Sequence, residues 1–271
     1  MIPAIIIFAV LLVLALLYIC STVGRKGHEG LEKLQGWSYA HRGLHGQGVP
    51  ENSMEAFRRA KEAGYGIELD VHLLKDGNLA VIHDSLLKRT TGADGRIEDL
   101  TTEQLKDYRL EGTAETIPLF QDVLDLYDGV APLIVELKEY RNCAQLCEAA
   151  CKMLDSYHGD YCMESFDPRC VRWLRINRPD IVRGQLTENY FRSNNKLLPW
   201  YLKFILQHQM LNFLTLPDFV AYKYVDRKTI SNTICRKLWG IQGVTWTVKS
   251  QADYDTAVKE GWIPIFEGFE P

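Results

Sequence analysis

Two carboxylates on one short apolar run are the first chemistry this chain offers. Within residues 66–84 (GIELDVHLLKDGNLAVIHD), side chains alternate across a strand, so Glu68 and Asp70 leave one face about 7 Å apart while Leu69 and Val71 face the other way. Two acids in so small a space are costly unless a cation lies between them or a proton is taken up. The turn Lys75-Asp76-Gly77-Asn78 then reverses the chain. A tight reversal joins antiparallel neighbours, so the run Leu79-Ala80-Val81-Ile82 carries His83 back beside the acid pair. His72 is read as pointing away from the face of Glu68, and His45 as hanging in a Gly-rich loop; neither is given a role.

The elements that must hold these groups alternate strand and helix. A short strand ends at His41-Arg42-Gly43. Pro50-Glu51-Asn52-Ser53 opens a helix, with Asn52 as its cap and Glu55 completing a box-like cap. Residues 73–117, the returning hairpin arm included, match no strand–helix unit and read as an insertion. Next comes a strand over 133–137 that carries Glu136, with Lys138 two residues on. Cys143, Cys147 and Cys151 share one face of the following helix, residues 142–157, where small buried hydrophobes are the better reading than metal ligands. A strand then leads to Glu164-Ser165-Phe166, and Asp167-Pro168 cap and start another helix. Glu164 is read as a rim charge bonded to its neighbours. The rhythm continues with a strand at 181–185, a long apolar helix near 199–214, a strand at 219–222 and a helix capped by Asp226 with Ile230, Ile234 and Leu238 in a stripe. A strand at 243–248, a helix from Ser250 to Glu260 and a strand at 263–266 complete it. Without the arm the strands number eight, near residues 38, 67, 134, 161, 182, 220, 244 and 264. The expected fold is therefore α/β: a (β/α)8 TIM barrel with a small inserted hairpin arm after strand 2. No eighth helix is visible, and residues 28–35 are the candidate to cover that face.

In such barrels reactive groups sit at the carboxyl ends of the strands. His41 and Arg42 end strand one, Glu68 and Asp70 strand two, Glu136 and Lys138 strand three, and His83 arrives on the arm above the same rim. An oxygen-rich, thiol-free set favours one divalent cation, Mg²⁺ or Ca²⁺, with open positions for a substrate phosphate. Arg42 and Lys138 complement the remaining phosphate charge. Two histidines can divide the proton work, one deprotonating the attacking oxygen and the other protonating the leaving alcohol. Phosphodiester cleavage is the reaction class that uses all of these groups.

The same residues carry a family resemblance. AHRG at 40–43, PENS at 50–53, ELDV at 68–71, KDG at 75–77, VIHD at 81–84 and VELK at 135–138 resemble, in order, the motifs of the glycerophosphodiester phosphodiesterase family, in its membrane-anchored, bacterial-type form. The likeness is dense over residues 38–139; Ser165-Phe166, Thr245-Trp246-Thr247-Val248 and the last strand continue it. It implies a barrel with a small arm, a divalent cation on Glu68, Asp70 and Glu136, and His41 with His83 as the acid–base pair. It further implies that Arg42 and Lys138 touch phosphate, that Glu51 and Asn52 orient the site, and that Phe166 and Trp246 border the glycerol. The implied products are glycerol 3-phosphate and an alcohol. Members usually close with Thr-Asp and a proline after the last strand, whereas this chain reads Phe266-Glu267-Gly268-Phe269, so no contact from that rim is carried over.

Composition sets the surroundings. A chain of 271 residues, 46% apolar and 24% charged, can bury a full barrel core. Its net charge of −4 and the lack of a Lys/Arg block interleaved with aromatics exclude a nucleic-acid groove. Residues 2–20 (IPAIIIFAVLLVLALLYIC) carry no charge and are long enough to cross a hydrocarbon core of about 30 Å. No basic residue precedes them and no A-x-A pattern follows, so an uncleaved single-pass anchor is expected rather than a signal peptide. Arg25 and Lys26 place the following body in the cytoplasm by the positive-inside rule. Seven cysteines without regular spacing suit a reducing compartment. The expected division is anchor 2–20, linker 21–35 and barrel 36–271, with the insertion at about 73–117. Three functions compete: a metal-dependent glycerophosphodiesterase, a lysophospholipase D acting on lysophospholipids, and a non-catalytic membrane-tethered protein that holds phosphodiester headgroups. The apolar helix at 198–214 is read as buried by its neighbours, with contact to lipid as the alternative.

Overall fold

The computed structural model describes residues 2–138, 141–193 and 198–271. Its strands are β1 (Tyr39–His41), β2 (Gly66–Leu73), β3 (Leu79–Val81), β4 (Leu133–Leu137), β5 (Tyr161–Ser165), β6 (Arg183–Thr187), β7 (Phe219–Lys223), β8 (Gln242–Val248) and β9 (Trp262–Phe266). All but β3 run parallel in the order β1-β9-β8-β7-β6-β5-β4-β2, and β1 also pairs with β2, which closes the ring. This is the (β/α)8 barrel that the alternation of elements predicts. β3 lies antiparallel on β2, as the tight turn at 75–78 requires.

Alternation along each strand sorts two cores. Ile67, Leu69, Val71, Leu133, Val135 and Leu137 pack outward against the helices. Tyr39, Ile134, Val182, Phe219, Val244, Ile263 and Ile265 fill the lower barrel. Gly184 has a packing reason: an added Cβ would lie 2.1 Å from the Phe219 ring, so the absent side chain is what admits that aromatic. The insertion carries its own small core, including Leu74, Ile82, Leu87, Ile97, Leu105 and Ile117. It is thus a folded platform rather than a loose loop.

The N-terminal segment is built into the body. The helix Ile2–Ser21 is long and apolar enough to cross a membrane, and it ends on the barrel. The Trp239 indole Nε1 donates to the Ile19 carbonyl at 3.1 Å, and the buried Thr22 carbonyl accepts from Cys235 Sγ. The Arg25 guanidinium pairs with the buried Asp218 and donates to the carbonyls of Pro179 and Ile181, while the Arg25 backbone N–H reaches the Pro217 carbonyl at 2.9 Å. Beyond it, the turn Glu29–Leu34 seats Leu34 in the lower barrel core, where its carbonyl accepts from the Tyr39 hydroxyl at 2.9 Å. Residues 28–35 therefore plug the amino end of the barrel instead of covering its outer face.

Several local readings shift. Ser53, not Asn52, caps the helix Met54–Glu62 by accepting from the Ala56 N–H, which releases Asn52 for another partner. The sixth strand starts at Arg183 rather than residue 181: buried Arg183, Gln185 and Thr187 lie on its outer face, alternating with Gly184 and Leu186 inside the barrel, and polar residues on the helix-facing side do not read as a core strand. The apolar run after Pro199 is not one helix: Trp200–Gln207 ends at Gln209, whose φ is +56°, and Asn212–Thr215 is a separate turn. Thr229 rather than Asp226 caps the helix Ile230–Thr233, and Ile230 and Leu238 are exposed instead of forming an inward stripe.

Asp218 is buried and depends on Arg25 for its counter-charge, with the Arg183 N–H as a further donor. Arg25→Ala should lower stability by about 3 kcal/mol, since a buried carboxylate is left without its cation. The shift in thermal midpoint of the full chain in detergent measures it.

Candidate active site

Sheet register brings the acids together. His41 lies opposite Glu68 across β1–β2, Asp70 opposite Glu136 across β2–β4, and Glu136 opposite Glu164 across β4–β5. One row at the carboxyl end of four neighbouring strands thus carries an imidazole and four carboxylates. Oxygens of Glu68, Asp70 and Glu136 lie within 4.8 Å of one another, and all three residues are buried.

Asp70 and Glu136 are each held by named neighbours. After β1 the chain turns sharply through Arg42 (φ +56°) and Gly43 (φ +80°); a Cβ on Gly43 would lie 2.7 Å from the Ala56 carbonyl carbon, so only glycine fits that backbone conformation and space. The turn aims Arg42 back over the acids, with Nε 3.3 Å from Asp70 Oδ2 and Nη1 2.8 Å from Glu51 Oε1. The Asn52 amide donates to Asp70 Oδ2 at 2.8 Å. Lys138, just past β4, sets Nζ 2.9 Å from Asp70 Oδ1 and 2.6 Å from Glu136 Oε1.

Both predicted histidines reach this mouth, and each sits on its own carboxylate. His41 Nδ1 is 2.7 Å from Glu267 Oε2, leaving Nε2 3.9 Å from Glu68 Oε2. His83 Nδ1 is 2.7 Å from Asp84 Oδ1. Asp84 pairs in turn with Arg89, whose Nη2 is 2.6 Å from Glu51 Oε1. His72 corrects its reading. With a period of two it shares the face of Glu68 and Asp70, and its Nε2 donates to the His83 carbonyl at 3.2 Å while Nδ1 meets Glu98 at 2.9 Å. It braces the backbone that presents His83. Glu164 differs too: it is buried in the row, and its Oε2 has no hydrogen-bond partner.

Burial and mutual repulsion govern the ionisation. Burial, followed by Asp70 and Glu136, pushes Glu68 well above the usual carboxylate range. Glu136 is raised by burial against the pull of Lys138, and Glu164 by burial and Glu136. For Asp70 burial is outweighed by Lys138, His83, Arg42 and Asn52, which hold it well below the range. Burial lowers His41, with Glu267 opposing. Four buried acids, Glu68, Asp70, Glu136 and Glu164, face two fixed cations, Arg42 and Lys138, so full ionisation leaves two negative charges uncompensated. Oxygen donors with that charge deficit fit one divalent ion.

A cavity of about 720 Å³ opens above the row. His41, Arg42, Glu68, His83, Glu136 and Lys138 make its floor; Leu186, Tyr190, Leu198, Leu202, Leu206 and Leu211 line its wall. Phe166 and Trp246 stand between, edge to face with centroids 5.6 Å apart, and the buried Trp246 Nε1 has no hydrogen-bond partner. A second depression of about 860 Å³, near Arg227, Arg236 and Glu260, gathers no comparable acid–imidazole set.

The sequence model of the glycerophosphoryl diester phosphodiesterase family matches residues 41–267. The chain belongs to this family. A glycerophosphodiester phosphodiesterase from Caldanaerobacter subterraneus is 29% identical over 82% of this chain and 89% of that protein. One from Bacillus altitudinis is 50% identical, over 37% of this chain and 43% of that protein, so this match spans less than half of the relative. A phosphodiesterase from Oleispira antarctica, solved in complex with the product sn-glycerol-3-phosphate, superposes with a TM-score of 0.68 at 22% identity, over 85% of this chain and 92% of that one.

Set against its family, this phosphodiesterase shows what the motifs left out. Glu267 follows β9 directly, at a carboxyl strand end where barrel chemistry gathers. That position was the available signal, hidden because the closing Thr-Asp pattern is absent. Asp84 and Arg89 lie in or beside VIHD but need the folded insertion to link His83 with Glu51. Glu267→Gln should lower kcat for a soluble glycerophosphodiester by about 10- to 100-fold, because a carboxylate on Nδ1 fixes ring orientation and tautomer. KM should stay within about twofold, since Glu267 lies behind the imidazole rather than in the cavity wall; steady-state kinetics separate the two.

Proposed function

We propose that this protein hydrolyses glycerophosphodiesters to glycerol 3-phosphate and a free alcohol, at a membrane to which Ile2–Ser21 anchors it. The observation that carries the reading is the pair of imidazoles, each braced by its own carboxylate, beside three buried acids at one mouth. Glu68, Asp70 and Glu136 hold one divalent cation, Mg²⁺ or Ca²⁺. Such an ion, when bound, neutralises phosphoryl oxygens and eases nucleophilic attack at phosphorus.

Arg42 and Lys138 take the phosphate oxygens, their positive charge fixed in place by Asp70, Glu51 and Glu136. His41 and His83 divide the protons: one ring accepts the proton of the attacking oxygen, and the other donates to the alcohol oxygen as its bond to phosphorus breaks. Glu267 and Asp84 stabilise each ring when it carries the extra proton. Glu51, shared between Arg42 and Arg89, orients the arginine over the site, and Asn52 fixes Asp70. Phe166 and Trp246 border the glycerol, and the unpaired Trp246 Nε1 offers a donor to a glycerol hydroxyl. A non-catalytic headgroup-binding role would not need two carboxylate-braced histidines. Residues 2–20 form the anchor, 21–35 the connection and 36–271 the hydrolase body, with Arg25 and Lys26 placing that body on the cytoplasmic side.

A second reading within the same chemistry is a lysophospholipase D, favoured by the leucine wall above the polar floor. A panel of soluble glycerophosphodiesters beside lysophospholipids distinguishes the two. His83→Ala should reduce turnover by about 10²- to 10⁴-fold, the range for loss of a general acid or base, with the far-ultraviolet spectrum unchanged; near-wild-type rates would overturn the acid–base assignment. Chelation should abolish activity, and the ion that restores it, Mg²⁺ or Ca²⁺, identifies the resident metal.

A further inference from the structure

The helix Trp200–Gln207 is apolar on two opposite sides. Leu202 and Leu206, with Leu198 just before the helix, line the cavity above the acidic row. The other side presents Trp200, Tyr201 and Phe204 to solvent, at 73%, 50% and 46% exposure. Lys203 reaches along the same surface, its Nζ 5.9 Å from the ring of the exposed Phe191. A helix apolar all round is normally covered, yet these aromatics have no protein over them among the described residues.

The chain itself indicates what covers them. Residues 200, 204 and 208 are one turn apart and share a stripe. The His208 ring lies 4.5 Å from Phe204 and 6.3 Å from Tyr18, and Tyr18 belongs to the last turn of Ile2–Ser21. An aromatic track therefore leads from the end of the apolar N-terminal helix to the helix that walls the cavity. Tryptophan, tyrosine and a lysine with a long aliphatic stem are the residues that settle at the boundary between headgroups and acyl chains.

We propose that the outer face of Trp200–Gln207 rests in the interface of a phospholipid bilayer, and that its inner face guides the single acyl chain of a lysophospholipid from that bilayer to the site. The proposal rests on the hydrolase reading and on Ile2–Ser21 remaining as an anchor. A bilayer is favoured over a protein partner because the anchor's own last turn lies against the same stripe, which keeps this face at the membrane surface.

The test uses the full chain in phosphatidylcholine nanodiscs whose acyl chains carry bromine. Trp200 emission, taken as the difference between the wild type and Trp200→Phe, should be quenched by about half or more, as for an indole at the acyl boundary. In ordinary nanodiscs, Trp200→Ser/Tyr201→Ser/Phe204→Ser should cut turnover of lysophosphatidylcholine by about tenfold through the lost interfacial insertion. Turnover of soluble glycerophosphocholine should stay within about twofold, since these side chains face away from the cavity. Unquenched Trp200, an equal fall for both substrates, or a mature chain found by mass spectrometry to lack residues 2–20 would each overturn the proposal. Quenching with no turnover of either substrate would instead support the membrane face and remove the hydrolase reading.

Discussion

Repulsion among buried carboxylates is the constraint from which the rest of the mouth follows. Two like charges about 5 Å apart interact by roughly 3 kcal/mol at an effective dielectric of about 20, and Glu68, Asp70 and Glu136 form three such pairs. Glu164 adds a fourth acid to the row. Lys138 is placed to offset two of the acids at once, and Arg42 reaches a third partner in Glu51. The remaining negative charge makes the site a receptor for a dication and for whatever anion that ion recruits. A parallel ladder tolerates this because its hydrogen bonds hold strands in place whatever their inward side chains carry, so repulsion raises carboxylate pKa values instead of unfolding the mouth.

The insertion is the second consequence. The barrel strands supply acids and one imidazole, and the second imidazole reaches the same cavity from the insertion. β3 achieves this by pairing with β2, and the Ile82 N–H reaches the Asp70 carbonyl at 3.1 Å. His72 then ties down the His83 carbonyl. The small core of Leu74, Ile82, Leu87 and Ile97 keeps the platform rigid. The linked charges Asp84, Arg89 and Glu51 connect it to the β1 turn, so the two imidazoles are positioned by one network.

Much of this was legible in the residues. Period-two alternation located Glu68 and Asp70 on one face, the Lys75–Asn78 turn forced His83 back, and the strand–helix rhythm gave the barrel. The same period also puts His72 on the face of Glu68, so its place beneath His83 is carried by parity alone. Other features needed three dimensions. Ser53 and Asn52 are both good caps, and only the position of Asp70 decides that Asn52 turns to the site. The start of β6 is hidden because Arg183, Gln185 and Thr187 occupy its outer face as buried polar groups bonded to the carbonyls of Thr215, Ser165 and Leu206. Glu267 lies 226 residues from His41 in the chain, and only the closure of β9 onto β1 brings its carboxylate to the ring.

The way the chain enters the barrel bears on how the mouth meets its substrate. A flexible connection of about thirteen residues would let the body wander over roughly 20 Å, and its orientation to the N-terminal helix would carry no meaning. Here the connection is fixed instead: Thr22 is buried, Arg25 is clamped on Asp218, and Leu34 is seated in the lower core. Barrel strands are stiff, so securing their amino end also fixes the direction in which their carboxyl end faces relative to Ile2–Ser21. A rigid entry of this kind is of little use to an enzyme fed only by freely diffusing solutes. It suits one whose substrates arrive along a surface, so the proposed bilayer contact would give the docked connection and the aromatic face of Trp200–Gln207 a common physical explanation.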